Sequence, residues 1–342
     1  MGMGAAALVL GGLLTGPVPV SAAAPAGADG GRQVAPAGAD GGRQVAPAGA
    51  DGGRQVALAD GREIYLDCRG RGSPTVVLES GIHDSSDTWT QTRAEPPASA
   101  EPAVLPGLAR TTRVCAYDRP GTIRYTAEPS LTTRSSPAPM PRTLPGLVAD
   151  LDELLTTAGE KGPYLLVGHS FGGMITRLYA QTHPDKTAGL VFVDAFAPPI
   201  RKDTGAHWPA YARLVNRPGV ALEDRPGFET IDIDGAIDAV EGAPRLPAVP
   251  MAVMSKTVPF ATVPGTPPAL MAAVEAAWPR VQDSLVALAP RTPHVLATGS
   301  DHYIQLREPD LTIATIGLLA DRIRSARPAH GAGPGAAPLA GF

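Results

Sequence analysis

The stretch Pro163–Tyr179, PYLLVGHSFGGMITRLY, decides the fold. Its apolar run Tyr164-Leu165-Leu166-Val167 predicts a buried strand, and Met174, Ile175, Leu178 and Tyr179 recur at helical spacing immediately afterwards. Between them lies Gly168-His169-Ser170-Phe171-Gly172, a tight turn with a serine at its apex. A serine hydroxyl is a weak nucleophile. It needs exposure, a base within hydrogen-bond reach and donors for the negative charge that develops on a substrate oxygen. A strained strand-to-helix turn lifts the Ser170 hydroxyl above the sheet, Gly168 and Gly172 let strand and helix close on each other, and the Phe171 N–H at the helix start points where an oxyanion would sit. A bare G-x-S-x-G arises readily by chance in a Gly-rich chain; its placement between a buried strand and an amphipathic helix gives it weight.

With that context the chain resembles the α/β-hydrolase superfamily, over roughly Val56 to Ala326. The resemblance implies a mostly parallel eight-stranded sheet flanked by helices, with a lid inserted after strand 6. The outlying strands read in the same sense. Arg54–Leu58 and Glu63–Cys68 around Asp60-Gly61 predict a hairpin. Thr75–Leu78, Thr112–Tyr117, Gly189–Val193, Val249–Met254 and His294–Thr298 predict strands, with helices over 144–155, 268–288 and 309–324. Residues 195–247 break the strand-helix rhythm and fall where the family carries its lid.

The family's second oxyanion donor follows its third strand, which maps to the Ile82 amide in Glu79-Ser80-Gly81-Ile82-His83. Ser80 stands where many relatives have histidine. After Asp118-Arg119-Pro120 the chain reads Gly121-Thr122-Ile123-Arg124-Tyr125 rather than the Gly-x-Gly-x-Ser common in relatives, which leaves the shape of that loop open.

Among seven histidines, His302 leaves the carboxyl end of the last strand and is the expected general base, with His83 in reserve. His169 points away within the turn, His183 lies at the far end of the helix, His207 in the lid and His330 in the tail, while His294 opens a strand on the wrong edge. Many relatives place the acid after the seventh strand, where this chain has only Ser255-Lys256-Thr257-Val258. Asp194, at the end of the sixth strand, is the expected acid, ahead of Asp283 and Asp301. In the resembling fold the second and fourth strands are neighbours, so Cys68 and Cys115 are expected to form a disulfide. No Cys/His cluster has metal-ligand spacing, and neither a metal nor a cofactor is expected.

The chain has 342 residues, net charge -4, 18% charged and 44% hydrophobic residues, enough for one large domain, and no basic block that would suggest nucleic acid. Residues 1–24 combine a short apolar run with Val20-Ser21-Ala22-Ala23-Ala24, as in a secretory signal peptide, although no Lys or Arg precedes the run. The unit APAGADGGRQV then occurs three times, from Ala24, Ala35 and Ala46. With almost nothing to bury, residues 25–55 are expected to be a disordered linker, as is the tail 327–342. No stretch reaches the ~20 apolar residues of a membrane span. The expectation is a secreted serine hydrolase acting on small or lipid-like carboxylic esters. Amide, lactone or thioester hydrolysis is the alternative on the same machinery, and a non-catalytic binding protein the alternative of another class; a serine in the turn argues against chemistry that needs a carboxylate nucleophile there. Natural substrate and oligomeric state are not readable.

Overall fold

The computed structural model describes residues 52–93, 102–261, 263 and 265–326. The expected leader, the first two repeats and the tail lie outside the described residues. In chain order the elements are β1 (Arg54–Ala57), β2 (Glu63–Arg69), β3 (Val76–Glu79), α1 (Asp87–Thr90), α2 (Val104–Leu108), β4 (Val114–Tyr117), β5 (Ile123–Arg124), β6 (Ser130–Leu131), α3 (Leu144–Ala158) and β7 (Tyr164–His169). There follow α4 (Gly172–Thr182), β8 (Thr187–Val193), α5 (Pro199–Asp203), α6 (Trp208–Asn216), α7 (Ile233–Gly242), β9 (Met251–Lys256), α8 (Pro268–Val286), β10 (His294–Ala297), α9 (Ile304–Arg307) and α10 (Pro309–Ala326).

Eight strands form one sheet in the order β1-β2-β4-β3-β7-β8-β9-β10. Only β2 breaks the parallel run, pairing antiparallel with both β1 and β4. The fold expected from the sequence is therefore present. One boundary moves: β1 begins at Arg54, inside the third repeat, because β2 offers its edge to Arg54–Ala57 and Val56 is buried opposite Ile64. The expected start of the domain at Val56 is thus two residues late.

Strand alternation divides the core into two layers. In β7, Tyr164 and Leu166 face the side covered by α3, α4 and α8, while Leu165 and Val167 face the side covered by α2 and α10. All six residues of β7 are buried, as the centre of a parallel sheet covered on both faces requires. Helix α3 is delimited by local chemistry. The Thr143 side chain accepts from the Gly146 N–H at its start, and Gly159 takes a left-handed φ of 77° at its end. Its stripe Leu144, Leu147, Val148, Leu151, Leu154 and Leu155 is buried throughout. Cys68 and Cys115 face each other across β2 and β4 and are joined by a disulfide.

The glycines flanking Ser170 are required by close approach. A Cβ on Gly168 would lie 2.5 Å from the Gly172 carbonyl oxygen, and one on Gly172 would lie 2.5 Å from that of Glu79. Parallel strands ending on one edge bring β3, β7, β8 and β10 to a common rim, where the site lies.

Candidate active site

Ser170 sits between β7 and α4 with φ 52°. Left-handed backbone at a non-glycine residue is strained and needs local support. Here the Ser170 N–H donates to Val193 O at 3.2 Å and the Ser170 carbonyl accepts from the N–H groups of Gly173 and Phe196 at 3.0 and 2.9 Å. Asp194 and His83 also have positive φ, 42° and 66°. Three of the four non-glycine residues in this conformation among those described thus cluster at one rim of the sheet.

His302 Nδ1 donates to Asp194 Oδ2 at 2.6 Å, and Asp194 is wholly buried. The other carboxylate oxygen, Oδ1, accepts from Trp278 Nε1 at 2.9 Å and from the Lys256 backbone N–H at 3.1 Å. The strand that lacks an acid therefore contributes a donor to the acid on its neighbour. The His302 ring packs against Phe260 and the edge of Trp278, with centroids 5.1 and 5.6 Å away. Ser170 and His302 line one cavity of about 40 Å³, walled by Ile82, Phe171, Tyr211 and Trp278 among others. Phe171 is the cap residue at the start of α4, where its carbonyl accepts from the Met174 N–H at 2.9 Å. Among the described residues neither its N–H nor that of Ile82 is taken by a backbone or side-chain acceptor.

Beneath the loop carrying Ile82 lies a buried ionic cluster. All five guanidinium donors of Arg119 are used: Nε and Nη2 on Glu229 at 2.7 and 3.1 Å, Nη1 on Glu79 and Ser80 O at 2.6 and 3.0 Å, and Nη2 also on Gly81 O at 2.6 Å. Glu229 Oε2 further accepts the His83 N–H at 2.6 Å. Burial would raise the Glu229 carboxyl, but Arg119 and its hydrogen bonds outweigh that and hold it below its ordinary value. For Glu79 burial prevails over the pull of Arg119 and pushes the carboxyl up to about 7. Burial also pushes His83 down to about 4 and Asp84 up to about 6.

A family profile described as the alpha/beta hydrolase fold matches residues 74–217. An uncharacterized protein of Schizosaccharomyces pombe is 32% identical over 161 residues, 42% of this chain and 28% of that protein. Lipase LipV of Mycobacterium tuberculosis is 42% identical over 59 residues, 17% of this chain and 22% of its own. A solved structure from Acinetobacter baumannii AYE, assigned as a lipase, superposes with a TM-score of 0.54 at 17% identity, covering 80% of this chain and 92% of that one. The protein DBJA gives 0.55 at 15% identity, over 80% and 98%.

The chain has the α/β-hydrolase fold.

The chain spans between 16% and 41% of the length of the curated relatives it matches, so those likenesses are partial. The two solved structures bear on the fold alone.

At one rim of this sheet lie Ser170, His302 and Asp194, the residues expected as nucleophile, base and acid, the first two lining one cavity and the last two hydrogen-bonded. The other candidates do not join them. The reserve His83 is fully buried with its Nε2 bonded to Val215 O at 2.8 Å and its ring stacked on Phe228 at 4.4 Å, so it is committed to the inserted segment. His169 Nε2 donates to His302 O at 3.0 Å, behind the turn, and burial holds its ring well below the ordinary histidine value. His294 meets Ser255 Oγ at 2.8 Å on the outer strand. Asp301 caps the Tyr303 N–H at 2.9 Å and pairs with Arg307 at 3.2 Å, while Asp283 stands on α8 facing an outer groove.

The departure at Gly121–Tyr125 takes a definite shape. Ile123 N–H donates to His83 O at 2.6 Å, and Tyr125 OH donates to Asp84 at 2.5 Å, so this loop braces the one carrying Ile82. Sequence reading missed Glu79, Arg119, Glu229, Asp84 and Trp278. A signal existed for the first two: a charge directly ending an apolar strand, at Glu79 after Val76-Val77-Leu78 and at Arg119 just past Tyr117, is costly to bury unless paired. Nothing local marked Glu229, whose partner lies 110 positions away.

Proposed function

We propose that this chain hydrolyses carboxylic esters through an acyl-serine intermediate, with Asp194, His302 and Ser170 as the catalytic triad. One observation carries the reading: Ser170, in left-handed backbone at a strand-to-helix turn, shares an apolar cavity with a histidine whose far nitrogen is 2.6 Å from a buried carboxylate. In this mechanism Ser170 Oγ bonds to the acyl carbon as His302 Nε2 takes its proton, and the carbonyl electron pair moves onto oxygen. The Phe171 and Ile82 amides donate to that oxyanion, an interaction whose loss costs about 3 kcal/mol of barrier per donor. Collapse reforms the carbonyl and breaks the ester C–O bond, and the alcohol leaves with the proton from His302. Water then repeats the sequence on the acyl-serine, releasing the carboxylic acid and free Ser170. Asp194 accepts the Nδ1–H throughout, which keeps Nε2 basic toward Ser170 and stabilises the imidazolium. These steps require no cofactor.

The inserted segment 195–247 acts as a lid, since Phe196, Tyr211, Leu214 and Val215 roof the cavity. The cavity they enclose is small, about 40 Å³. Short acyl groups therefore suit it better than fatty chains. The partial likeness to Lipase LipV of Mycobacterium tuberculosis is in keeping with ester chemistry on this fold. No helix among the described residues is long and apolar enough to cross a membrane. We infer export as well, supported by the leader-like residues 1–24 and the Cys68–Cys115 bridge; an N-terminus close to Ala24 on protein from culture medium checks it, and retention of Met1 would refute it.

The test of function is labelling by a fluorophosphonate together with turnover of p-nitrophenyl esters of rising chain length. Wild-type protein labels at Ser170 and turns over the acetate fastest, and Ser170→Ala does neither. Folded wild-type protein that neither labels nor turns over any ester would overturn the reading.

A further inference from the structure

We propose that Arg119 and Glu229 are positioning residues that aim the Ile82 amide, so that the oxyanion site is completed from the lid. The inference rests on the esterase reading and goes beyond it. Ser80, Gly81 and Ile82 belong to a loop that closes against the nucleophile: a Cβ on Gly81 would lie 3.2 Å from the Ser170 Cβ. The Gly81–Ile82 peptide is trans, so its carbonyl and its N–H point in opposite directions. Its carbonyl accepts from Arg119 Nη2 at 2.6 Å, deep in the protein. The N–H of the same peptide is therefore directed away from Arg119, and Ile82 lines the cavity with Ser170.

The neighbouring peptides are pinned as well. Ser80 O accepts from Arg119 Nη1 at 3.0 Å, and the His83 N–H donates to Glu229 at 2.6 Å. This explains how His83 holds φ 66° without being glycine. A cation on the carbonyl also polarises the amide at the other end of the unit, which strengthens its N–H as a donor.

Glu229 belongs to the inserted segment, and its own N–H donates to Gly121 O at 3.0 Å. Beside it Asn216, at the end of α6, exchanges two hydrogen bonds with Ile231, at 2.9 and 2.7 Å, and Val215 O meets His83 Nε2. The helix that roofs the cavity and the carboxylate that orders the loop are thus clipped together. Seating the lid and ordering the oxyanion donor become one event, and a site with the lid displaced would retain its nucleophile and base but hold a looser oxyanion loop.

Glu229→Gln tests this, since the amide has Glu's shape but replaces one acceptor by a donor. The expected result on p-nitrophenyl acetate is a fall in kcat of about 10- to 100-fold with KM within about twofold. Affinity for phenylboronic acid, whose tetrahedral serine adduct uses the oxyanion site, falls in parallel. Glu160→Gln is the control for stability alone: it removes a carboxylate paired with Arg113 at 2.6 Å, ahead of β7 and β4 and so at the opposite end of the strands from the loop, and leaves both readouts unchanged. Should Glu229→Gln fail to fold, Arg119→Lys replaces it, because an ammonium donates from one atom and cannot hold Glu79, Ser80 O, Gly81 O and both oxygens of Glu229 at once, and the same kcat loss is expected. Ser170-dependent turnover with kcat within about threefold of wild type in the folded variant, or a KM effect with boronate affinity intact, overturns this inference alone. Full activity in Ser170→Ala overturns it together with the esterase reading.

Discussion

On one side of Ser170 the carboxylate that orients His302 stands at the end of a central strand and reaches the ring directly, at 2.6 Å. On the other side two carboxylates, Glu79 and Glu229, act on the Ile82 loop mainly through Arg119, and one of them comes from the inserted segment. The imidazole side is built from the body of the sheet, with Asp194 braced by Trp278 and the Lys256 amide. The Ile82 side is built across the joint between the sheet and the inserted segment. Under the proposed mechanism the support of the base lies wholly outside the inserted segment, while that of the Ile82 amide is shared with it.

The comparison is broken most severely at the acid. Asp194→Asn keeps the shape but offers His302 the wrong hydrogen-bonding partner, and kcat on p-nitrophenyl acetate is expected to fall by about 10⁴-fold. A loss under tenfold would remove Asp194 from the triad and with it the contrast between the two sides. The effect should exceed that of Glu229→Gln by a factor of 100 or more, on the order of the gap between losing a base's orientation and loosening one donor. Trp278→Phe sharpens the imidazole side. It deletes the Nε1 donor to Asp194 while the Lys256 amide remains, and kcat is expected to drop about tenfold, as for one hydrogen bond to a charged group. An unchanged kcat would mean that the backbone donor alone sets the carboxylate.

The last test reads stability rather than rate, at the seam of the two sides. Asp84, on the Ile82 loop, accepts from Tyr125 and lies 3.8 Å from His169, which in turn bonds the His302 carbonyl. Its folded carboxyl is pushed up to about 6, mainly by burial, so the folded state holds this proton more tightly than the unfolded chain. Its contribution to stability is full below pH 4 and is lost as pH rises through about 6, a loss of about 3 kcal/mol. Urea unfolding from pH 4 to 7 should show that decline in wild type and a flatter profile in Asp84→Asn. Parallel profiles would assign the slope to other groups.

Much of this was legible before any fold was seen. The apolar run of β7, the serine between glycines and the stripe of α4 are local signals, because strand, turn and helix each depend on residues close in sequence. His302 and Asp194 could be named because parallel strands present their carboxyl ends to one rim, so position along a strand predicts proximity. Glu229 could not be, since a buried carboxylate shows no periodicity and its partner is reached only when the inserted segment folds back.

The chain's own order of residues determined the sheet, the elbow at Ser170 and the rim on which chemistry would gather, since backbone propensity and side-chain alternation act over a few positions. Tertiary structure alone decided that Arg119 would spend every donor beneath the Ile82 loop and that Glu229 would meet it from the inserted segment. A charge removed from water must find compensation wherever the packed chain supplies it, and that place is set by three-dimensional closure.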